Sequence, residues 1–488
     1  MAETSSAPPE KVTPDLLKLI GVVVLGAFVV LLDATMTNVA FQTLLREFDA
    51  PLSTVQWIST AYLLSVSMVI PLTGWLVDRY GAKPMWLLSL VLFFAGSLLC
   101  GSAWSINSLI FFRVLQGVGG GMLPALAQMI LARAAGPDRI GRAMAAVGVP
   151  AMLGPVLGPV LGGLIVDDLG WRWIFFVNAP ICLFAFVAAQ RVMSSSERDR
   201  SRRLDLIGLL LLPPACALIV YGLATAGSRG GFGDRRVVIT LVAGAALLVC
   251  FVIRGLLTGA EPIIDLRLFR SRAFSTASIM MFLSGCTLFG AIILFPLYYQ
   301  QVRGASTLHA GLLLSPLGLG MAVALVAAGR LTDRVGARSI ALTGLLLGTA
   351  STIVYTRLGA HTDQLLLAGS LFVSGMGLGA AIVPVMASAY RGLTETEIPR
   401  ATSAVRIFQQ LGGAFGSAVL TVVLQRQVLD QTAGRPDPAR LSSAFGHTFH
   451  WVLGFTLVAI VPALFLPRSA KDPAASVEKE RSAGKATL

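Results

Sequence analysis

Two stretches of this sequence repeat each other and decide its fold: GWLVDRYGAKPM at residues 74–85 and GRLTDRVGARSI at residues 329–340. They share two glycines, an Asp-Arg pair and a basic residue at matching positions. A second pair of similar stretches, GVGGGMLP from Gly117 and GMGLGAAIVP from Gly375, follows at nearly the same offset. This common offset indicates an ancient duplication, in which the second half of the chain copies the fold of the first.

The composition places both halves in a membrane. Of the 488 residues, 55% are hydrophobic and 13% are charged, whereas soluble domains carry about 25% charged residues. Lys and Arg exceed the acids, 38 against 25, but they lie in short loops between apolar segments, which indicates membrane topology and not nucleic-acid binding. The five cysteines and four histidines form no metal-binding or nucleophilic motif, so we expect no cofactor and no enzymatic activity.

About fourteen apolar segments are long enough to cross a bilayer, which needs about 20 residues per helix. The predicted spans are residues 17–40, 55–77, 84–103, 107–131, 142–166, 173–193, 206–225, 237–257, 274–298, 310–331, 339–357, 365–390, 401–424 and 446–466. We therefore predict an all-α polytopic membrane protein, in which two inserted helices separate two six-helix bundles. Parallel halves of this kind place the binding site between them, near the middle of the membrane.

The predicted organisation divides the chain into seven segments. They are an N-terminal tail (1–16), a six-helix bundle (17–193), a linker (194–205), two inserted helices (206–257), a second linker (258–273), a second six-helix bundle (274–466) and a C-terminal tail (467–488). The tails and the loops on their side carry more than twice as many Lys and Arg residues as the opposite loops. The positive-inside rule therefore predicts that both termini are cytoplasmic.

One acid lies deep in the first span, within LLDATMTN at residues 31–38. At about 1.5 Å per residue, Asp33 lies about 24 Å above the inner boundary, and Arg113 of the fourth span lies at about 21 Å. A charged side chain at such depth costs about 2.5–3.5 kcal/mol and is kept where it faces a cavity or a partner. We predict that Asp33 binds the proton and the cargo; the alternative is a static ion pair with Arg113 that only fixes helix packing.

Three polar residues near this pair complete the predicted coupling site. Thr37 shares a helical face with Asp33 and is expected to donate a hydrogen bond to its carboxylate. Asn38 follows Thr37, and Gln116 lies one turn from Arg113. Chemistry is expected to be asymmetric between the halves, because the register of the repeat places Leu371 at the position of Arg113.

Two further groups of residues are candidates for the transport path. The stretch LGPVLGPVLGGLI, from Leu153, is predicted to bend or to seal tightly against a neighbouring helix, with ordinary packing as the alternative. Its candidate residues are Gly154, Gly158, Pro159, Gly162 and Gly163. Gln409 and Gln410 are expected to line the cavity or to form interhelical hydrogen bonds, and Arg406 is expected to extend towards the membrane surface.

At these motifs the sequence resembles the major facilitator superfamily, and within it the fourteen-span drug:proton antiporters of the EmrB/QacA type. LLDATMTNVAF resembles the first-helix motif of that group, GWLVDRYGAK the loop signature after helix two, RVLQGVGGG the fourth-helix arginine motif and LGPVLGPVLGG the antiporter motif of helix five. PIIDLRLFRSRAF, at residues 262–274, resembles the stretch that introduces the second half. The resemblance implies two bundles that rock about a central site and export hydrophobic compounds in exchange for protons.

The resemblance also implies roles for particular residues. Asp33 would bind the proton and recognise cations, and Arg113 would couple the two events. A cytoplasmic latch between the bundles would include Gly74, Asp78, Arg79, Gly81 and Lys83 in the first half and Asp333 and Arg334 in the second.

The predicted function is proton-coupled export of hydrophobic, cationic or neutral drugs or antibiotics from a bacterium. The protein is expected to act as a monomer in the lipid bilayer of the plasma membrane, with small-molecule cargo and protons as its partners and without a cofactor or nucleic acid. The sequence gives no support for a periplasmic adaptor. Export or import of a single metabolite, such as a sugar, an amino acid or a siderophore, is the alternative.

Overall fold

The structure is a computed structural model that describes residues 14–135, 157–158, 160–194, 205–229, 231–257, 264–359, 362–394, 397–432 and 438–467. Within these ranges every regular element is a helix. The helices are α1 (Pro14–Val39), α2 (Phe41–Glu47), α3 (Leu52–Tyr80), α4 (Ala82–Gly101), α5 (Ile106–Ala135), α6 (160–168), α7 (Trp173–Phe176), α8 (Asn178–Val192), α9 (Leu206–Arg229), α10 (Arg235–Leu257), a 3-10 helix (Leu266–Arg270), α11 (Arg272–Gln301), α12 (Thr307–Leu313), α13 (Ser315–Val335), α14 (Ala337–Thr356), α15 (Gln364–Ala389), α16 (Ile398–Thr432) and α17 (Pro438–Ala463).

Thirteen helical segments in the described part of the chain are long and apolar enough to cross a membrane, with α7 and α8 counted as one. Each corresponds to one of the predicted spans. The remaining predicted span, residues 142–166, lies mostly outside the described residues, and its described part, residues 157–158 and 160–166, is helical. The prediction of an all-helical polytopic membrane protein is confirmed, and the exact segment boundaries stay a prediction.

The two repeated stretches form the same turn in both halves. Gly81 ends α3 at φ 93° and ψ 156°, and Gly336 ends α13 at φ 94° and ψ 153°. This backbone region is essentially restricted to glycine. The shared glycines of the repeat therefore fix equivalent α3–α4 and α13–α14 hairpins.

Buried apolar side chains join the two halves at one end of the molecule and not at the other. We call the end at which α1 begins the terminal side and the opposite end the far side. On the terminal side one cluster contains residues from both halves, such as Ile70 and Met280. On the far side, among the described residues, the cluster around Phe175 belongs to the first half and the cluster around Phe449 to the second. This conformation is therefore closed on the terminal side.

The helix α9 packs across the seam between the halves. It contacts α3 of the first half, α16 of the second half and its own partner α10. The rings of Trp57 on α3 and Tyr221 on α9 stack with their centroids 5.7 Å apart. At the other end of α9, Asp205 Oδ1 lies 2.7 Å from Arg254 Nη1 of α10. The two inserted helices are therefore held to each other and to both halves.

Candidate functional site

An ion pair lies inside the first half, enclosed by α1, α4, α5 and α8. Arg113 Nη1 on α5 donates to Asp33 Oδ2 on α1 at 2.6 Å. The side chains of Asp33 and Arg113 are 0% and 1% exposed. A fully buried charge is stable only when it is paired and hydrogen-bonded, so each residue depends on the other.

The second carboxylate oxygen has two neutral partners. Asp33 Oδ1 accepts hydrogen bonds from Gln116 Nε2 at 3.0 Å and from Asn178 Nδ2 at 2.8 Å. Both amide groups also donate to Ser97 Oγ on α4, at 3.2 and 3.0 Å. Ser97 in turn donates to the carbonyl of Phe175 at 2.9 Å. The carboxylate is thus bonded by donors from α5 and α8, and α4 completes the network.

The guanidinium of Arg113 makes contacts that hold it beside the acid. Its Nη1 also donates to Gln116 Oε1 at 2.7 Å, and its Nε donates to the carbonyl of Ile58 at 3.4 Å. Its central carbon lies 4.2 Å from the centroid of the Tyr62 ring. Cation–π contact of this kind is strongest where water is excluded, as it is here.

Glycines bring the helices close enough for this network to form. A Cβ atom added to Gly96 on α4 would lie 2.6 Å from Gln116 Cα on α5. A Cβ atom added to Gly117 would lie 2.8 Å from the carbonyl oxygen of Tyr62 on α3. Small residues permit such close approach of membrane helices, so these glycines set the spacing that the polar side chains require.

Thr37 differs from the expectation drawn from its position on the helix. Its Oγ1 donates to the backbone carbonyl of Asp33 at 2.8 Å and not to the carboxylate. A threonine hydroxyl in a helix readily bonds the carbonyl four residues earlier, which explains this choice. The side chain of Asn38 lies outside the described part of the structure.

Three residues of the network were not among the sequence candidates. Asn178 is the only amide in the apolar run WIFFVNAPICLF, and a polar side chain inside a span is a signal that could have identified it. Ser97 and Tyr62 carry no such signal, because Ser and Tyr are common in membrane helices. Their roles depend on which helices pack together.

Asp78, a residue of the predicted latch, lies between the two halves on the terminal side. Its Oδ1 is 3.7 Å from Arg133 Nη2 of α5, and its Oδ2 is 3.8 Å from Arg400 Nε of α16. Close by, a Cβ atom added to Gly74 would lie 3.1 Å from the carbonyl oxygen of Pro399. The α3–α16 contact is therefore tight and carries opposite charges across the seam.

The other residues of the predicted latch take different positions. Lys83 Nζ donates to the carbonyls of Gln190, at 2.9 Å, and Met193, so in this conformation it binds the end of α8 within the first half. Arg79 lies in the last turn of α3, directly before the Gly81 turn. The side chains of Asp333 and Arg334 lie outside the described part of the structure, although their backbone belongs to α13.

Part of the glycine-rich stretch packs against α1 next to the ion pair. A Cβ atom added to Gly158 would overlap Thr35 Oγ1, and one added to Gly162 would lie 3.2 Å from Met36 Cα. A Cβ atom added to Gly163 would have no neighbour within 4 Å. Gly154 and Pro159 lie outside the described residues. The stretch is close-packed against α1 at Gly158 and Gly162 but not at Gly163, and its role as a seal stays a prediction.

The second-half candidates lie on α16. Arg406 Nη1 donates to Gln409 Oε1 at 2.8 Å, and both side chains are partly buried. Gln410 is also partly buried on the same helix. In the described part of the chain no group of three or more His, Cys, Asp or Glu residues could hold a metal ion.

Comparison with known proteins gives one consistent family. The sequence profile of the Major Facilitator Superfamily matches residues 23–417. A protein named multidrug resistance protein B homolog, from Mycobacterium tuberculosis, is 36% identical over an alignment of 494 positions. The alignment covers 94% of this chain and 92% of that protein. The multidrug export protein EmrB of Escherichia coli is 30% identical over 403 residues, which cover 82% of this chain and 78% of that protein.

A solved structure shows the same fold. The crystal structure of the human organic anion transporter MFSD10 (TETRAN) superposes with a TM-score of 0.63 at 18% sequence identity, covering 92% of this chain and 100% of that chain. The helical architecture, the duplicated hairpins and the sequence matches agree with one another. This multi-pass membrane transporter belongs to the Major Facilitator Superfamily.

Proposed function

We propose that the protein exports hydrophobic drugs, cationic or neutral, in exchange for protons that enter down their gradient. The names of two relatives, a multidrug resistance protein B homolog and the multidrug export protein EmrB, support drug export. The distribution of Lys and Arg supports a position in the bacterial plasma membrane with both termini in the cytoplasm. The proposed protein is a monomer that uses protons as coupling ions and needs no cofactor.

The observation that carries this proposal is the buried pair of Asp33 and Arg113. A proton on Asp33 neutralises the acid and leaves the guanidinium of Arg113 as an uncompensated buried cation. Breaking a buried pair on one side costs about 3–5 kcal/mol. A shift from 1:99 to 99:1 between two conformations requires about 5.5 kcal/mol, so one protonation event supplies a large part of such a switch when the second conformation relieves the unpaired charge of Arg113.

The closed terminal side supports an assignment of this conformation to one state of the transport cycle. Asp78 and Arg400 face each other across the seam on that side, and Gly74 packs against Pro399. We propose that this is the outward-facing state, in which the cytoplasmic side is shut. Asp33 lies beside Leu32 of the far-side cluster, and in this proposal the proton reaches it from outside the cell.

The test is proton-driven drug transport by Asp33→Asn in inverted membrane vesicles. We expect the variant to lose drug accumulation, because its amide cannot exchange a proton. Asp15→Asn is the matched control, since Asp15 lies on the same helix but is 91% exposed. Full proton-driven accumulation by Asp33→Asn, equal to that of the control, would contradict the proposal.

A further inference from the structure

Asn178 provides a group that the ion pair itself lacks. It is the first residue of α8, and its side chain is fully buried. Its Nδ2 donates to Asp33 Oδ1 and to Ser97 Oγ, at 2.8 and 3.0 Å. Its Oδ1 is buried and has no hydrogen-bond partner. Buried polar atoms are almost always bonded, so an unpaired oxygen on a side chain that bonds a buried carboxylate needs an explanation.

A protonated Asp33 would need a hydrogen-bond acceptor for its new O–H group. Arg113, which binds Oδ2, has donors only. At Oδ1 the side chains of Gln116 and Asn178 both present an amide NH₂ group. The Gln116 oxygen already accepts from Arg113 at 2.7 Å, which fixes the orientation of that amide. Of the three side chains that bond the carboxylate, only Asn178 has an unused acceptor.

We propose that Asn178 is a positioning residue that responds to the protonation of Asp33 by turning its amide group. While Asp33 is ionised, Asn178 Nδ2 donates to Oδ1. When a proton from water on the open side binds to Oδ1, the amide rotates about its Cβ–Cγ bond, and Asn178 Oδ1 accepts the new O–H. The two N–H···O bonds from Nδ2, to Asp33 Oδ1 and to Ser97 Oγ, are lost, and one O–H···O bond from Asp33 to Asn178 Oδ1 is formed. The inference rests on the proposed function, because it assumes that Asp33 exchanges a proton.

Ser97 can follow this rotation by exchanging one acceptor for another. Its hydroxyl now accepts from the amide of Asn178 and donates to the carbonyl of Phe175. A hydroxyl has one proton to donate, so once the amide has turned Ser97 can move its donated bond from the Phe175 carbonyl to Asn178 Oδ1, while it still accepts from Gln116 Nε2. The polar network therefore has two bonded arrangements, one for each protonation state of Asp33.

The position of Asn178 in the chain connects this rotation to a helix junction. The helix α7 ends at Phe176, Val177 forms a turn, and α8 begins at Asn178. A change in the bonds of Asn178 therefore acts where the chain between α7 and α8 is already interrupted.

The titratable side chains that face Asp33 from the surrounding helices are those of Tyr62 on α3, Cys100 on α4, Arg113 on α5 and Cys182 on α8.

The test separates proton coupling from cargo movement in Asn178→Leu, which keeps the size of the side chain but has no polar atom. In liposomes we expect drug exchange at equal pH to stay within about twofold of the unmodified protein. We expect proton-driven accumulation to fall about tenfold and its dependence on pH to flatten, because the protonated acid has lost its acceptor. Asn178→Gln retains the amide and is expected to restore most of the proton-driven accumulation.

The control is Thr448→Val, which removes a fully buried polar group from α17, the last helix of the second half, where Thr448 bonds only a carbonyl of its own helix. It should leave both activities unchanged. Unaltered proton-driven accumulation in Asn178→Leu would overturn the inference, and so would equal loss of exchange and accumulation in the Leu and Gln variants. If Asn178→Leu does not reach the membrane, Asn178→Ala is compared with Asn178→Gln under the same criteria.

Asp33→Asn distinguishes failure of this inference from failure of the proposed function. If Asp33→Asn retains proton-driven accumulation, the proposed function itself is wrong. If Asp33→Asn loses it while Asn178→Leu retains it, proton coupling stands and only the role of Asn178 is wrong.

Discussion

The two halves of this transporter share a helical plan but differ in what they bury. In the first half, Asp33 and Arg113 form an ion pair in a polar network to which α1, α3, α4, α5 and α8 contribute. In the second half, Leu371 occupies the position of Arg113 in the repeat and is fully buried. Thr352 stands at the position of Ser97, and its hydroxyl donates to a carbonyl of its own helix. One scaffold therefore supports a buried ion pair in one copy and an apolar residue at the position of Arg113 in the other.

The far side of the second half is filled by aromatic side chains. Phe295 and Tyr355 meet edge to face with centroids 4.8 Å apart, and Phe449 lies 5.2 Å from both rings. Aromatic contacts of this kind stabilise the packing of α11, α14 and α17. The first half therefore holds the buried pair that can change its charge, while the far side of the second half is held together by uncharged rings.

The largest expected effect comes from removing one charge of the pair. Arg113→Leu copies the second-half residue into the first half and leaves Asp33 buried without its cation. We expect the free energy of unfolding to fall by about 3–5 kcal/mol, together with loss of proton-driven transport. The measurement is thermal unfolding in detergent.

The double variant Asp33→Leu with Arg113→Leu tests whether the unpaired charge causes this loss of stability. It makes the first half as apolar as the second at this position, and we expect most of the lost stability to return, since no unpaired charge is left. Transport should stay uncoupled from protons. A double variant no more stable than Arg113→Leu alone would show that burial of charge is not what separates the two halves.

A smaller effect is expected where the halves are alike. Gly81→Ala and Gly336→Ala place a Cβ atom on equivalent backbone conformations at φ 93° and 94°. Each should lower the free energy of unfolding by about 1–3 kcal/mol, and by similar amounts in the two halves. Unfolding measurements on the two variants side by side check this equivalence. A loss of stability in only one of the two variants would show that the two turns are not equivalent.

The smallest effect is expected in the aromatic cluster. Tyr355→Phe removes a hydroxyl that donates to the carbonyl of Leu367 at 2.8 Å but keeps the ring. We expect a loss of about 1 kcal/mol in the free energy of unfolding and an unchanged dependence of transport on pH. A changed pH profile, measured in vesicles, would show that the second half also takes part in proton coupling.

The sequence predicted the elements that depend on local pattern. Hydropathy located the spans because each helix must cover the membrane by itself. The depths of Asp33 and Arg113, calculated from the rise per residue, placed the two residues at the same level, and the structure joins them at 2.6 Å. The matching turns at Gly81 and Gly336 follow from the repeat.

The remaining features depend on tertiary packing that no local pattern encodes. Asn178 reaches Asp33 only because α8 lies against α1 and α4. Thr37 donates to the carbonyl four residues earlier on its own helix and not to the carboxylate of Asp33. Lys83 is part of a motif that the resemblance assigns to contact between the bundles, yet it binds the end of α8 in this conformation. Which partner a side chain selects depends on neighbours that are distant in the sequence.

The most direct test of the account is proton release from the purified protein when a lipophilic cation is added, measured with a pH indicator in weakly buffered detergent solution. The account predicts that the unmodified protein and Asp15→Asn release about one proton per bound cation, and that Asp33→Asn releases none, because Asp33 is the group that exchanges its proton for cargo. Equal proton release by Asp33→Asn and the unmodified protein, at comparable cation binding, would contradict the account.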